Sequence, residues 1–432
     1  MFENKTIKLC FYNPHAVGNT LGMTLLSTMA QIFGTNKKKL KKHNLRHNFL
    51  LDFLRNGKYN AAIVVDGAGT SLTPLLNKIF FIRNNYLVHK IISSAEIYIW
   101  CFLNGINPFQ KEIIFRLKKL DEKSDILFTF AFCTDIFLNE KLLEKSIIKD
   151  FRGKKILHGT HFYGLTGAIA QNVKKMGVQY MVAEANLKKS SYFNHYFSFI
   201  EYVYCLPHVL RKKYKKIRDF QDRQNKCLAL GTLVLDNVAN EVNRDHYNFF
   251  KIDTLHPMRK AIYENRNQLA DSVECNINFH NKKRIEISKK STFYKKYDIF
   301  KMFYDLFFLS EGKEYHEMDI VEKYNQFKMF VSPEENIGLS SINFIEGMAC
   351  GSAYIGLNHP MYTDLGMVEG KHFITYDGTL EDLKRKIGYY QCHQEELSEI
   401  ARSGCGFAKE RFFEEKIKSD FWKYLENLSK SV

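Results

Sequence analysis

The sequence predicts an α/β protein built from two doubly wound domains that face one cleft. Three observations lead there. At 432 residues, the chain is long for one hydrophobic core, and two domains of roughly 200 residues each are the expected partition. Short apolar runs with strand composition recur along it, each ending in a turn-rich loop before residues at helical spacing. That alternation stops in a basic stretch, Arg211 to Arg223, and restarts at Lys226, as a second domain would.

The clearest unit of this kind is FKMFVSPEENIGLSSINFIEGMACGSAYIGLNHPMYTDLGMVEGKHFITYD, Phe327 to Asp377. Lys328 to Ser332 reads as a strand stopped by Pro333, with Glu334, Glu335, Asn336 and Gly338 in a polar loop. Ser340, Ser341 and Asn343 offer N-cap side chains to a helix carrying Ile342, Ile345, Met348 and Ala349. One acid, Glu346, lies in that helix; Gly351 can take the left-handed position that ends it, and Ala353 to Leu357 is a buried strand. A glycine-containing loop feeding a helix N-terminus aims backbone N–H groups at a phosphate or diphosphate. An ionised Glu346 can accept hydrogen bonds from a ribose diol. The plain alternative is an ordinary crossover unit with Glu346 on a solvated face.

The residues E-N-I-G-L-S-S followed by I-E-G-M-A-C-G-S-A-Y-I-G resemble the donor-site segment of nucleotide-sugar glycosyltransferases with the GT-B fold. The likeness is to family 4 retaining enzymes and the CgeB-like group, and KIGYYQCHQEELSEIARSGCGFAKERF, Lys386 to Phe412, is similar to the latter. Together these segments cover roughly a fifth of the chain. The resemblance implies two Rossmann-like domains with the C-terminal helix crossing back to the first. It makes Glu346 the ribose acid and sets Gly338, Leu339, Ser340, Ser341 and Asn343 beside the sugar and phosphates. The family pattern has a further glutamate eight residues before Glu346, where this chain has Gly338; Glu335, three residues further back, is the nearest candidate for a catalytic acid.

Composition sets the remaining limits. Hydrophobic content of 45% and charged content of 25% are those of a folded globular chain. No window approaches the ~18 apolar residues of a membrane span, and the most apolar stretch, Ile97 to Leu103, is short. Met1 to Lys8 does not read as a signal peptide. Nine cysteines without a C-x-x-C pair argue against a zinc site or a disulfide framework and point to the cytoplasm. The excess of 63 Lys+Arg over 47 Asp+Glu, +16, gathers at Lys37 to Arg46, Arg211 to Arg218 and Lys282 to Lys296. No nucleic-acid motif or stacking platform accompanies it. An anionic membrane surface, worth about 1 kcal/mol per basic residue, suits an enzyme with a lipid-linked acceptor, so peripheral attachment to the inner face of the cell membrane is expected. Plainly solvated lysines are the competing account.

In chain order, Ile7 to Tyr12 is the opening strand, and its loop with Gly18 and Gly22 fits neither phosphate fingerprint. A helix from Leu21 to Phe33 follows, then strands at Ala61 to Val65 and Ile126 to Phe132, the latter ending near Asp135. Lys154 to His158 is a strand whose carboxyl end carries His158, Gly159, Thr160 and His161, where open α/β sheets bind ligands. Family 4-like enzymes place a sugar-contacting histidine at such a strand end; His158 matches most directly, with His161 the alternative. Gln179 to Ala183 delivers Glu184 and Asn186 to the same edge, and Val203 to Leu206 closes the half.

The basic stretch has no core face and reads as a linker. Lys226 to Leu230 then ends at Gly231-Thr232, the first loop of the second domain, and Asn276 to Phe279 is a further strand. The family's diphosphate-holding bases are missing from Leu233 to Asp236; Arg244, Arg259 and Lys328 are possible substitutes. Thr379 caps a helix presenting Leu383, Ile387 and Tyr390, and the final helix carries Phe413, Ile417, Phe421 and Tyr424.

The expected domains are 1–209 on the acceptor side, a basic linker 210–225, a nucleotide-sugar domain 226–405, and a C-terminal helix 406–432 packing back. The expected function is glycosyl transfer from a nucleotide-diphosphate sugar to a saccharide or lipid-linked glycan. No metal or separate cofactor is required, since helix N-termini and basic side chains can neutralise the leaving diphosphate and no D-x-D pair stands at the strand ends. A sugar-nucleotide epimerase and a non-catalytic basic nucleic-acid or glycan-binding protein are the alternatives.

Overall fold

The computed structural model describes residues 7–16, 49–70, 76, 82–121, 126–130, 137–159, 164–233, 244–279 and 318–431. The loop with Gly18 and Gly22, the helix expected at Leu21 to Phe33, the clusters Lys37 to Arg46 and Lys282 to Lys296, Asp135, Thr160, His161 and Asp236 lie outside these residues.

Two all-parallel sheets are present, as the alternation requires. The first holds β1 (Leu9–Tyr12), β2 (Ala61–Val64), β3 (Ile113–Ile114), β4 (Ile126–Phe130), β5 (Lys154–His158), β6 (Tyr180–Ala183) and β7 (Tyr202–Cys205), in the order β3-β2-β1-β4-β5-β6-β7. The second holds β8 (Gln224–Leu233), β9 (Val273–Phe279), β10 (Phe327–Val331), β11 (Ala353–Leu357) and β12 (Ile374–Tyr376), in the order β12-β11-β10-β8-β9. The chain order reverses between β1 and β4 and between β8 and β10. At such switch points the loops diverge and leave a crevice at the carboxyl ends. In the second sheet Val331 of β10 pairs with Ala229 of β8 and Ile355 of β11, so the loops after β8 and β10 leave side by side.

Strand alternation explains the packing. Leu228, Leu230, Phe330 and Tyr354 point to one face of the second sheet and join the core that extends through the first domain. Cys227, Ala229, Met329, Val331, Ala353 and Ile355 point to the other face, under Leu383, Ile387 and Tyr390 of the helix Leu380–Cys392. Thr379 caps that helix, its hydroxyl accepting from Asp382 N–H at 3.1 Å.

The last helix, Glu414–Lys430, returns to the first domain. Ile417, Phe421, Leu425 and Leu428 form its buried stripe. The Phe421 ring lies 6.3 Å from Phe49 and Phe53, 6.0 Å from Phe128 and 5.6 Å from Tyr204, while Trp422 meets Tyr59 at 4.5 Å. Phe413 belongs to the bend before this helix and is exposed, which corrects its expected place on the apolar stripe.

The stretch between β7 and β8 also differs from expectation. It is irregular, and it does have an inward face: Tyr214 and Arg223 are buried. Arg223 donates to the Cys350 carbonyl at 2.8 Å and Asn325 Oδ1 at 3.1 Å, and Asn325 Oδ1 also accepts from Ile217 N–H at 2.9 Å. Arginines that cap buried carbonyls look like a solvated charge run in sequence, because composition does not say which guanidinium turns inward.

Candidate functional site

The loop after β10 is built on Glu334. This carboxylate is buried, and one oxygen accepts from Tyr362 OH at 2.6 Å, Tyr354 OH at 3.1 Å and Leu357 N–H at 3.0 Å; Tyr376 OH is 3.5 Å from the other. Burial, and next the charge of Glu334, pushes all three phenols well above their usual range, so they stay protonated and donate. The anchored loop then folds on itself through a bridge between Glu335 and Leu339. Gly338 turns it at φ +88°, where a Cβ would also lie only 3.2 Å from the Ser190 Cβ. Ser190, from the first domain, donates through Oγ to the Ile337 carbonyl at 2.8 Å. Both domains therefore fix this loop.

At the end of β8, Gly231 has φ +148°, and Arg259 crosses it so closely that a Cβ would meet Nε at 2.6 Å. Arg259 stands in the helix Pro257–Glu264 and is buried. Its Nε donates to the Pro333 carbonyl at 2.9 Å and its Nη1 to the Thr232 carbonyl at 3.0 Å. One guanidinium thus joins the ends of β8 and β10 at the switch point. The other basic residues considered lie elsewhere. Lys328 stands at the amino end of β10, donating to Gln394 Oε1 at 2.6 Å. Arg244 opens the helix Arg244–Phe250, whose Asp245 carboxylate accepts from the Gly167 N–H of the first domain at 2.7 Å.

Two histidines with no distinguishing sequence motif complete the wall. His246 Nε2 lies 2.7 Å from Asn336 Oδ1, and His256 Nε2 lies 3.8 Å from Glu335 Oε1. Burial, then the nearby Arg259 charge, lowers the His256 pKa, so its imidazole is neutral near pH 7. His256 Nδ1, Asn336 Nδ2 and Ser340 Oγ are buried with no hydrogen-bond partner among the described residues. Buried polar groups are normally paired, and these three gather about one loop. The one sequence signal for His256 is Pro257, a helix-start residue that puts His256 at the N-cap.

The helix Asn343–Ala349 ends as expected, with Gly351 at φ +79°. Its start is a correction: Ile342 is the N-cap residue, with no side-chain cap. Ser341 Oγ accepts from Asn343 N–H at 3.3 Å, and Asn343 Nδ2 donates to Ser332 Oγ at 3.1 Å, so these side chains tie the loop to β10. Leu339 is buried beneath it.

Glu346 does not lie on a solvated face. It is 1% exposed and turned toward the interdomain stretch, where Arg211 donates to Oε1 through Nε at 3.2 Å and through Nη2. Arg211 Nη2 also donates to Tyr214 OH at 3.0 Å, and about half of the Arg211 side chain is exposed. Burial raises the Glu346 pKa, with Arg211 opposing the shift but not cancelling it. The raised value means that the protonated carboxyl favours folding. This contribution is full below the ordinary 4.5 and is lost as pH rises through the folded-state value. Glu346→Gln should therefore gain stability relative to wild type as pH rises across that window. Urea unfolding of both proteins at acidic and neutral pH checks this; a difference that does not change with pH would contradict it.

His158 ends β5 and is buried, its ring 5.9 Å from that of Phe128. It belongs to the first sheet, one strand beyond the switch point. Gly231 and Thr232 lie in β8 itself, which runs on to Leu233 instead of ending at Leu230 as expected, because both stay paired with β9. Glu335, Gly338, Leu339, Ser340 and Ser341 stand on the loop after β10, Asn343 opens the following helix, and Glu346 faces the interdomain stretch. Among the described residues no group of three His, Cys, Asp or Glu side chains is placed to hold a metal ion, and no helix is long and apolar enough to cross a membrane.

No family model matches the chain, and no curated protein does. Solved structures share a likeness over nearly its whole length. A glycosyltransferase from Rickettsia africae has a TM-score of 0.49 at 10% identity, covering 99% of this chain and 100% of its own. A sucrose-phosphate synthase from Thermosynechococcus elongatus has 0.47 at 9%, covering 99% and 100%. HepE from Anabaena, in complex with UDP and glucose, has 0.46 at 11%, covering 97% and 99%. Their names describe those proteins, and at these scores they are likenesses only.

Proposed function

We propose that the chain transfers a glycosyl group from a nucleotide-diphosphate sugar to a saccharide or lipid-linked glycan, with residues 226–405 holding the donor, 1–209 facing the acceptor and 210–225 joining them. The observation that carries this is the juxtaposition at the second switch point. A buried guanidinium joins the ends of β8 and β10 beside a loop where Asn336 Nδ2 and Ser340 Oγ, with His256 Nδ1 facing it from the neighbouring helix start, are buried without a hydrogen-bond partner among the described residues.

In this reading Arg259 and the backbone of Gly231, Thr232 and Gly338 to Ser341 face the diphosphate, and Asn343 holds the loop in place. The C1–O bond to the phosphate breaks, and a C1–O bond to the acceptor hydroxyl forms. The leaving diphosphate takes the developing charge against Arg259, which supplies the neutralisation with no metal assigned. Glu335, beside the neutral His256, is the group placed to take the acceptor proton. Glu346 receives the ribose once Arg211 turns away, and His158, with His161 as the alternative, contributes to the sugar-facing wall.

A thermal-shift screen over UDP-, GDP-, CMP- and dTDP-sugars tests the proposal. One nucleotide family should raise the melting temperature by about 2–5 °C at saturating concentration. No response to any of them, or an equal response to inorganic diphosphate alone, would contradict it.

A further inference from the structure

The helix Tyr86–Leu103 of the first domain carries large apolar side chains on its outer side as well as its inner one. His89, Ser93, Glu96, Ile97, Trp100 and Cys101 face inward and are buried. The outer side carries Leu87 (65% exposed), Ile91 (60%) and Phe102 (59%), with Tyr98 between them. These positions make one stripe about 22 Å long at 1.5 Å per residue. Phe109, on the turn that follows, is 80% exposed, with its ring 6.1 Å from Phe102 and 6.3 Å from Tyr98. An ordinary surface helix puts charge on this side.

Basic residues outnumber acids along this segment. Between residues 82 and 121 stand Arg83, Lys90, Lys111, Arg116, Lys118 and Lys119, six bases, against three acids, Glu96, Glu112 and Asp121. Glu96 is buried and Glu112 is paired with Lys8, so neither offsets the outer surface. A second copy of the chain would bring two such basic surfaces together, which disfavours self-association through this face. A bilayer with anionic headgroups satisfies both features at once, taking the apolar stripe at the acyl boundary and the bases at the phosphates.

We propose that the helix Tyr86–Leu103 and Phe109 form a docking surface for an anionic lipid bilayer, with the helix lying in the plane of the interface. This does not depend on the sugar-transfer reading, and it places attachment on an apolar face of the first domain.

Flotation with vesicles of phosphatidylcholine alone, or mixed with phosphatidylglycerol, tests it on the full chain. Wild type should float with the anionic vesicles and not with the neutral ones. Phe102→Ser/Phe109→Ser should reduce this about tenfold or more, and Arg116→Glu/Lys118→Glu/Lys119→Glu should reduce it most at low salt, the difference from wild type narrowing as salt rises. All three proteins should keep the same melting temperature and the same nucleotide-sugar binding, since the altered side chains are exposed. Equal flotation of wild type and the Phe102→Ser/Phe109→Ser variant would overturn the proposal. So would no flotation at all, or a lipid-free wild-type dimer that the same variant abolishes.

Discussion

Glu334→Ala should destabilise the protein by about 3–5 kcal/mol. The carboxylate gathers Tyr354, Tyr362 and Tyr376 and the Leu357 N–H in a buried site. Removing it leaves the donors without an acceptor where water does not enter freely. Each unsatisfied group costs about 1–3 kcal/mol, and the Tyr354–Tyr362 contact at 2.5 Å recovers part of that loss. Glu334→Gln keeps one acceptor oxygen and should lose about half as much. Urea unfolding measures both. A loss below about 1 kcal/mol in the alanine variant would show that the tyrosines find other partners and that Glu334 does not anchor the loop.

Phe421→Ala should cost about 3–5 kcal/mol as well, for a different reason. Its ring is fully buried among Phe49, Phe53, Phe128 and Tyr204, and it is the centre of the contact by which the last helix returns to the first sheet. Truncation opens a cavity that rigid aromatic neighbours fill poorly. Phe421→Leu should lose much less, since it keeps most of the volume. If the alanine variant unfolded at the wild-type urea concentration, the returning helix would be an ornament on the first domain and not part of its core.

Local patterns make much of the fold legible in the order of residues. Lys154 to His158 and Ala353 to Leu357 are strands with the expected bounds, because a short apolar run between turn residues leaves few options. Thr379 caps its helix for the reason its side chain suggests. Long-range partners are not legible in the same way. Nothing in the chain order selects Arg259 over Arg244 or Lys328; the choice depends on which strand end each reaches. Glu334 reads as a polar loop residue until three tyrosines from β11, its following helix and β12 converge on it. Arg211 and Arg223 look alike in a basic run, yet one pairs with Glu346 and the other caps a buried carbonyl. Side-chain capping by Ser340, Ser341 or Asn343 is a sound local rule, overridden here because Ile342 takes the N-cap position and Asn343 turns to Ser332.

In the proposed function, Arg259 holds a nucleotide-diphosphate sugar at the β8–β10 switch point. Calorimetric titration of the donor identified by thermal shift, into wild type and Arg259→Gln, addresses it directly. Saturable binding to wild type is expected, weakened by about 2–3 kcal/mol, or roughly thirty- to a hundred-and-fiftyfold, when the charge-assisted contact to the diphosphate is lost. The matching nucleoside without phosphates should bind both proteins alike. Equal donor affinity for wild type and Arg259→Gln, with both folded, would contradict it.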